Sequence, residues 1–291
     1  MDDSSSAVKA QPGPASPGKA EAVAPITRKT FMEANETTIL GGGFIVLMIA
    51  LWEILPHVVT LSAGTKLFFA TPSQIAVTLY NLFASGEIWP ALEFSGSTFA
   101  IGLAASIAFA LPAGVALGRS NLLNAMFDPF ITAFNATPRL VFLPLVLIWF
   151  GIGMWSVVLI VFMGALFPLL INTYEGVRNA DKLLINVVRS FGANEWEINK
   201  LVVLPNALPY IVAGLRLAIG RAILGVVVAE FFGGSTNGVG VIMVNAAGKY
   251  QVDVVFAGLI IFMALSLIMT SGVKAIEVRL TRWRPAKVKT F

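Results

Sequence analysis

The chain has 291 residues, of which 57% are hydrophobic and only 12% are charged, and its mean hydropathy is +0.82. Because charged residues make up about a quarter of a typical soluble domain, this composition predicts a membrane protein. The sequence contains no cysteine and one histidine, His57, which excludes disulfide frameworks, thiolate zinc sites, cysteine nucleophiles and histidine triads. We therefore expect no cofactor, no metal and no enzymatic chemistry. The net charge of +4 does not by itself indicate nucleic acid binding.

The two ends of the chain differ from its middle. Residues 1–38 are rich in Ser, Pro, Ala and Gly and hold few large apolar residues, which predicts a disordered N-terminal tail. A membrane domain is predicted over residues 39–275, followed by a basic tail over 276–291. Six stretches of the middle region reach the length of about 20 apolar residues that crosses a bilayer: Ile39–Pro56, Thr98–Leu117, Ala125–Phe150, Met154–Thr173, Ala207–Phe232 and Asp253–Val273.

The basic residues set the expected orientation of these spans. If both termini are cytoplasmic, fifteen of the twenty Lys and Arg residues lie on the cytoplasmic side and only Lys66 and Lys249 lie outside. Loops rich in Lys and Arg stay on the cytoplasmic side of a membrane, so we predict that both termini are cytoplasmic. The three remaining basic residues, Arg139, Arg216 and Arg221, fall within predicted spans.

Two short helices are predicted on the outer side. Thr71 and Pro72 have the residue types of an N-cap and a first helical turn. Apolar residues then recur at helical spacing: Ile75, Leu79, Leu82 and Phe83. This amphipathic helix lies either on the membrane surface or packed on the bundle, and the sequence favours neither. Residues Val241–Ala247 are expected to fold back against the bundle.

A polar segment separates the fourth and fifth spans. Leu184, Val187, Val188 and Phe191 recur at helical spacing, and Gly192 is expected to end that helix. A second short helix is predicted from about Ala193, before Pro205 and Pro209 end the loop and begin the next span. Such an element with an exposed aromatic is either a lid under its own bundle or a plug for a groove of a partner.

The segment "SFGANEWEINKLVVLPNALP" (Ser190–Pro209) resembles the cytoplasmic loop of binding-protein-dependent ABC importer permeases. That family pattern is Glu-Ala-Ala, three residues, Gly, nine residues, Ile, one residue and Leu-Pro. Gly192, Val202, Leu204 and Pro205 fall at these spacings, whereas 186–188 read Asn-Val-Val in place of Glu-Ala-Ala.

Three further segments are similar to the nitrate, sulfonate and taurine branch of these permeases: "TPSQIAVTLYNLFASGEIW", "LPLVLIWFGIGMW" and "AGLRLAIGRAILGVVVAEFFG". The resemblance covers about residues 68–275. The segment "EFSGSTFAIG" (Glu93–Gly102) departs from the branch, which usually carries an arginine there.

The resemblance implies an all-α membrane protein of six transmembrane helices, a type I ABC importer permease bundle with a coupling loop at about 176–206. It implies a homodimer in the inner membrane, a pair of cytoplasmic ATP-binding subunits that hydrolyse ATP, and a periplasmic solute-binding protein. The expected function is import of a small anion such as a sulfonate, nitrate or taurine. The residues expected to contact the ATPase are Gly192, Ala193, Asn194, Glu195, Trp196, Glu197, Leu204 and Pro205. The rival hypothesis is a self-sufficient channel or secondary carrier in which the loop is a lid.

Ionisable residues inside spans are costly and suggest a transport pathway or a buried pair. Arg139 and Arg221 are predicted at similar depth near the membrane midplane, with Asn135 and Thr137 one turn below Arg139. These four residues are the candidate substrate pathway. As alternatives, Arg139 bonds backbone carbonyls freed by nearby prolines and Arg221 pairs with an acidic residue of a neighbouring helix. Two carboxylates, Glu53 and Glu230, lie near outer span ends and are expected to reach interfacial water.

Overall fold

The computed structural model describes residues 31–58 and 68–280 of the chain. These residues form α-helices without strands, joined by short turns, which confirms the predicted all-α class. The helices in chain order are α1 (Phe31–Val58), α2 (Pro72–Ala84), α3 (Ile88–Arg119), α4 (Asn121–Ala136), α5 (Leu143–Phe150), α6 (Met154–Arg178), α7 (Lys182–Ser190), α8 (Glu195–Ile198), α9 (Leu204–Phe231), α10 (Val239–Gly248) and α11 (Val252–Leu280).

Among the described residues, those up to Ala50 and those from Leu51 onward form two separate compact units. In the first unit, α1 begins at Phe31, so the helix extends into the segment predicted as a disordered tail. Met, Glu and Ala in residues 31–38 are strong helix formers, which lets the helix continue upstream of the apolar stretch. Residues 1–30 of the predicted N-terminal tail and residues 281–291 of the predicted basic tail lie outside the described residues.

Five of the described helices are long and apolar enough to cross a membrane. Two further helices, joined by a sharp bend, would together form a sixth crossing. The five are Ile39–Val58, Ile88–Arg119, Met154–Arg178, Glu195–Phe231 and Val252–Arg279. The bent pair joins Asn121–Ala136 to Arg139–Phe150 at an angle of 95°. The predicted count of six spans therefore holds when this pair counts as one crossing.

The third span was predicted as the single apolar stretch Ala125–Phe150, and the structure divides it into two helices. The chain breaks at Thr137 and Pro138, and a 3-10 turn (Arg139–Phe142) precedes α5. The break has a local cause: a residue before proline is disfavoured in the helical conformation, and Thr137 adopts an extended one with ψ 129°. Pro144 then occupies the first turn of α5, where its missing N–H costs nothing.

The core of the second unit is built on α6, which packs along its length against α3 on one side and α9 on the other. Glycine permits the close approach of α3. A Cβ added at Gly114 would lie 2.6 Å from Cβ of Thr173, and one added at Gly118 would lie 2.6 Å from Cβ of Val177. Small residues at helix interfaces are a common device for packing within membranes, because lipid provides little hydrophobic drive between helices.

The two predicted outer helices both pack on the bundle. Thr71 caps α2 through a reciprocal capping box with Gln74, and the α2 side chains Ile75 and Leu82 are buried. Thr78 of α2 donates a 2.6 Å hydrogen bond to the carboxylate of Asp253 at the start of α11. Helix α10 packs against α9 and α11. Of the two alternatives for α2, the structure thus shows the packed one.

Candidate functional site

The predicted coupling loop is a tight pair of helices, α7 and α8. Helix α7 starts at the N-cap Asp181, and the chain turns at Gly192, whose φ of +85° is a conformation that favours glycine. Asn194 and Glu197 then form a capping box: the Asn194 N–H donates to Glu197 at 2.8 Å and the Glu197 N–H donates to Asn194 at 2.9 Å. The short α8 is therefore specified by its own sequence.

One side of this loop is anchored to the bundle. Ile198 and Val203 are fully buried, and they form a small second core with Val177 and Ala180 at the end of α6 and Ala207 of α9. This core lies apart from the main one and is specific to the loop. Burial of these apolar side chains fixes the loop as a rigid extension of α6 and α9.

The junction between the loop and the fifth span differs from the prediction. Pro205 and Pro209 do not end the loop, because α8 continues through a π turn (Asn199–Val203) directly into α9. Leu204 and Pro205 are the first residues of α9 and directly follow the π turn, where the N–H of Leu204 donates to the carbonyl of Asn199. The π turn already interrupts the regular α-helical hydrogen bonds at the point where proline lacks an N–H. The loop and the span thus form one helical element from Glu195 to Phe231.

Glu195 ties the loop to the end of α3. Its carboxylate accepts a hydrogen bond of 2.7 Å from Arg189 of α7 and is ion-paired with Arg119, the last residue of α3. Three helices are thereby linked at one acidic group. Because all three side chains are at least partly exposed, this network orients the loop more than it stabilises the fold.

The other side of the loop presents apolar side chains to solvent. Phe191 is 89% exposed and Trp196 is 69% exposed, with the Lys200 ammonium 5.4 Å from the centre of the Trp196 ring. Leu183, Leu184 and Val187 of α7 are also exposed. We call the set Leu183, Leu184, Val187 and Phe191 the α7 face. The sequence predicted an apolar stripe that includes Leu184, Val187 and Phe191, but these residues were not among those expected to contact the ATPase.

The break in the third span places Arg139 beside α6 and α9, because the 3-10 turn contacts both helices. The Nε and Nη2 atoms of Arg139 are buried and have no hydrogen-bond partner among the described residues. Arg221 of α9 is exposed and close enough to act on Arg139 electrostatically. The structure therefore brings together two like charges and leaves buried donors of one of them unsatisfied.

The remaining pathway candidates behave differently. The Thr137 hydroxyl donates 2.8 Å to the carbonyl of Ala133 within α4, so it caps the broken helix. Asn135 is half-buried, and its side chain makes no hydrogen bond within the described ranges 31–58 and 68–280. In the same ranges neither structural alternative for the arginines is found, since Arg139 bonds no carbonyl and Arg221 forms no ion pair.

The expectation that Glu230 reaches interfacial water is wrong. Its side chain is 2% exposed and accepts a 2.7 Å hydrogen bond from the Ser95 hydroxyl and another of 2.7 Å from the N–H of Gly240. Gly240 leaves room for the carboxylate, because a Cβ there would lie 2.8 Å from the Glu230 Cβ. Glu53 is half-buried and accepts hydrogen bonds of 2.7 and 3.0 Å from Ser73 at the start of α2.

Comparison with known proteins identifies the family to which this chain belongs. The family of binding-protein-dependent transport system inner membrane components matches residues 106–282. The chain belongs to this family. It is thus a multi-pass membrane permease component of an ABC transporter rather than an enzyme, and the resemblance inferred from the loop motif is confirmed.

Curated relatives within the permease family match most of the chain. An aliphatic sulfonates transport permease protein of Bacillus subtilis (strain 168) is 35% identical over 81% of this chain and 84% of its own length. A taurine transport system permease protein of Escherichia coli (strain K12) is 31% identical over 86% of this chain and 91% of its own length.

Solved structures show the same fold. Two inward-facing structures of the MetNI methionine ABC transporter match with TM-scores of 0.57 and 0.58 at 20% identity. They cover 67% and 68% of this chain, and 94% and 99% of the matched chains. The type I ABC permease fold predicted from the sequence is therefore confirmed.

Proposed function

We propose that this permease is the transmembrane subunit of an ATP-driven importer that moves a small sulfonate-like anion from a periplasmic binding protein to the cytoplasm. The observation that carries the proposal is the pair of neighbouring arginines, with buried, unsatisfied donors on Arg139 and no acidic partner for Arg221 within the described residues. A guanidinium group can hold sulfonate, nitrate or carboxylate oxygens with two parallel hydrogen bonds. The relatives named for aliphatic sulfonates and taurine support this solute class.

The arginines attract an anion more strongly if the permease pairs with a second copy. A symmetric dimer with both arginines on a shared cavity would gather four guanidinium groups, and a low-dielectric wall would focus their field on an anion. The arginine site need only bind the anion weakly, because a site of high affinity would not release it to the cytoplasm. Affinity then comes mainly from the separate binding protein.

We assign the ATPase contact to the exposed side of the loop. The α7 face offers apolar side chains that a groove of a partner would bury, and aromatic residues are typical hot spots of such interfaces. Trp196 of α8 is a further exposed aromatic residue of the loop, while Gly192, Ala193, Asn194 and Glu197 form the turn between α7 and α8 and its cap. Since α8 and α9 are one helical element, a pull on the loop reaches the fifth span directly.

Transport then follows from the coupled movement of the ATPase pair and the transmembrane bundle. ATP binding closes the ATPase pair, draws the two loops together and tips the bundle between outward-open and inward-open states. For this arrangement both termini and the loop face the cytoplasm, as the distribution of Lys and Arg residues favours.

The family favours this importer over a self-sufficient channel or carrier, and one experiment separates them. The permease is reconstituted into vesicles with the ATP-binding subunit of its own system, and uptake of radiolabelled taurine is measured with the binding protein outside. We expect uptake only when both ATP and the binding protein are present. Equal uptake without ATP would show that the permease works as a channel or carrier, with its loop as a lid.

A further inference from the structure

Two cavities of opposite polarity meet at Arg119, where α3 ends. The first has a volume of about 640 Å³ and lies between the C-terminal ends of α3 and α6 and the start of α7. The second has a volume of about 690 Å³ and lies between α3 and the continuous element formed by α8 and α9. We call them the basic pocket and the apolar groove.

The basic pocket is lined by three cationic side chains, Arg119, Arg178 and Lys182, and by no carboxylate. Arg178 and Lys182 form no ion pair within the described part of the chain. Arg119 donates to Glu195 through one nitrogen only, which leaves other guanidinium N–H groups for a ligand. The pocket therefore suits an anionic group with several acceptor oxygens, such as a phosphate.

The apolar groove begins at the same arginine and runs the other way. Its α3 wall consists of Leu111, Pro112, Val115 and Ala116, so it extends from Arg119 toward the centre of the span by about 12 Å at the helical rise per residue. The facing wall includes Trp196, Leu204 and Ile211. Lys200 and Glu195 are its charged lining groups besides Arg119. An alkyl chain fits this lining and this direction.

We propose that the two cavities together bind one anionic phospholipid, with its phosphate in the basic pocket and an acyl chain in the apolar groove. An amphipathic ligand matches both linings at once, and the shared residue Arg119 marks the boundary between headgroup and chain. Basic pockets between transmembrane helices commonly take anionic headgroups. The proposal rests on the membrane placement of α3, α6 and α9 and not on the transported solute, so either proposal can fail without the other.

The lipid would bridge elements that move together in transport. Its headgroup contacts the ends of α3 and α6 and the start of α7, and its chain lies against α8 and α9. A bound lipid would therefore brace the loop against the ends of α3 and α6. The α7 face lines neither cavity, whereas Glu195, Trp196 and Leu204 of the predicted ATPase contact line the apolar groove. The lipid and a protein partner would therefore share the α8 end of the loop and leave the α7 face to the partner.

The first test counts bound lipid on the full-length chain. The purified protein in detergent is mixed with equal amounts of phosphatidylglycerol and phosphatidylcholine that carry the same acyl chains, and native mass spectrometry reports which lipid is retained. We expect phosphatidylglycerol to be preferred by about tenfold or more, because each nearby Lys or Arg favours an anionic lipid several-fold. Equal retention of the two lipids would overturn the proposal.

Variants locate the site. Replacing Arg178→Gln together with Lys182→Gln should remove most of the preference. The matched control, Lys274→Gln with Arg279→Gln, removes two basic residues of α11 that line neither cavity and should keep it. If the control loses as much preference as the pocket variant, the effect is one of overall charge and the site is wrong.

A separate arm tests the groove and the source of the phosphate. Ala116→Trp fills the exposed groove wall while it keeps every cationic residue of the basic pocket, and it should lower retention of phosphatidylglycerol. Unchanged retention in this variant would overturn the acyl-chain assignment. Excess inorganic phosphate should displace little phosphatidylglycerol, because it lacks the chain. Complete displacement by inorganic phosphate would show that the pocket takes free phosphate and not a lipid.

Discussion

Ser95 of α3 donates a 2.7 Å hydrogen bond to the buried carboxylate of Glu230 on α9. The same serine oxygen accepts a 3.0 Å hydrogen bond from the N–H of Val239, and Glu230 accepts a 2.7 Å bond from the N–H of Gly240. The first turn of α10 is thus held by side chains of two spans. These bonds satisfy N–H groups that begin a helix and have no partner within it.

This network predicts coupled effects of mutation. Glu230→Ala leaves a buried hydroxyl and a buried N–H without an acceptor, and we expect it to lower the free energy of unfolding by about 2–4 kcal/mol. Ser95→Ala should cost about 1–2 kcal/mol, because it frees one N–H and one carboxylate oxygen. The double variant, followed by thermal unfolding in detergent, should cost less than the sum of the two. Strict additivity would show that the two residues do not act together.

The α7 face predicts the effect of a charge at the ATPase contact. Phe191→Asp should abolish co-purification of the ATP-binding subunit, because a carboxylate cannot enter an apolar groove without a large desolvation cost. Trp196→Asp should weaken the association less, since Trp196 is 69% exposed against 89% for Phe191 and so has less side-chain surface for a partner to bury. Asn179→Asp adds the same charge at an exposed position outside the α7 face and serves as the control. Retained association in Phe191→Asp would favour the lid hypothesis.

The contact between α3 and α6 predicts that alanine substitution has very different effects on stability at two glycines of α3. Gly114→Ala would place a Cβ 2.6 Å from Thr173, whereas Gly96 has open space around its Cβ position. We expect Gly114→Ala to cost about 1–3 kcal/mol through overpacking. Gly96→Ala, by contrast, should be neutral or slightly stabilising in the same thermal unfolding assay. Equal effects would mean that α3 and α6 are not in close contact.

The distribution of basic residues predicts the orientation of the C-terminus. A phosphatase reporter that is active only outside the cytoplasmic membrane, fused after Phe291, should give no signal. A fusion within residues 233–238, between α9 and α10, should be active and serves as the positive control. An active fusion after Phe291 would overturn the orientation and with it the cytoplasmic assignment of the loop.

The sequence predicted the features that depend on local patterns. Apolar length identified the spans, Thr71 with Pro72 identified the start of α2, and Gly192 identified the turn of the loop, because each signal acts within one element. The helix break at Thr137–Pro138 also has a local signal, because a residue before proline is disfavoured in a helix. The long apolar run around it nevertheless favoured a single stretch in the prediction. The environment of Glu230 was not predictable, because its partners lie 135 residues earlier in the chain and in the following turn.

Import of an anion through the arginine site is the central claim, and single substitutions test it. Arg139→Gln and Arg221→Gln each remove a charge without a large change in side-chain length. Arg216→Gln is the matched control: it lies on α9, as Arg221 does, but is ion-paired with Glu277 and partly exposed, so its loss should change little. Co-purification of the ATP-binding subunit confirms that each variant assembles.

The decisive measurement is the initial rate of ATP-dependent uptake of radiolabelled taurine into reconstituted vesicles, with the binding protein saturated. We expect Arg139→Gln and Arg221→Gln each to lower the rate by about tenfold or more, which corresponds to about 1.4 kcal/mol on the barrier, while Arg216→Gln stays close to the wild type. Wild-type rates in both variants, with assembly intact, would show that these arginines are structural and would contradict the proposed anion pathway.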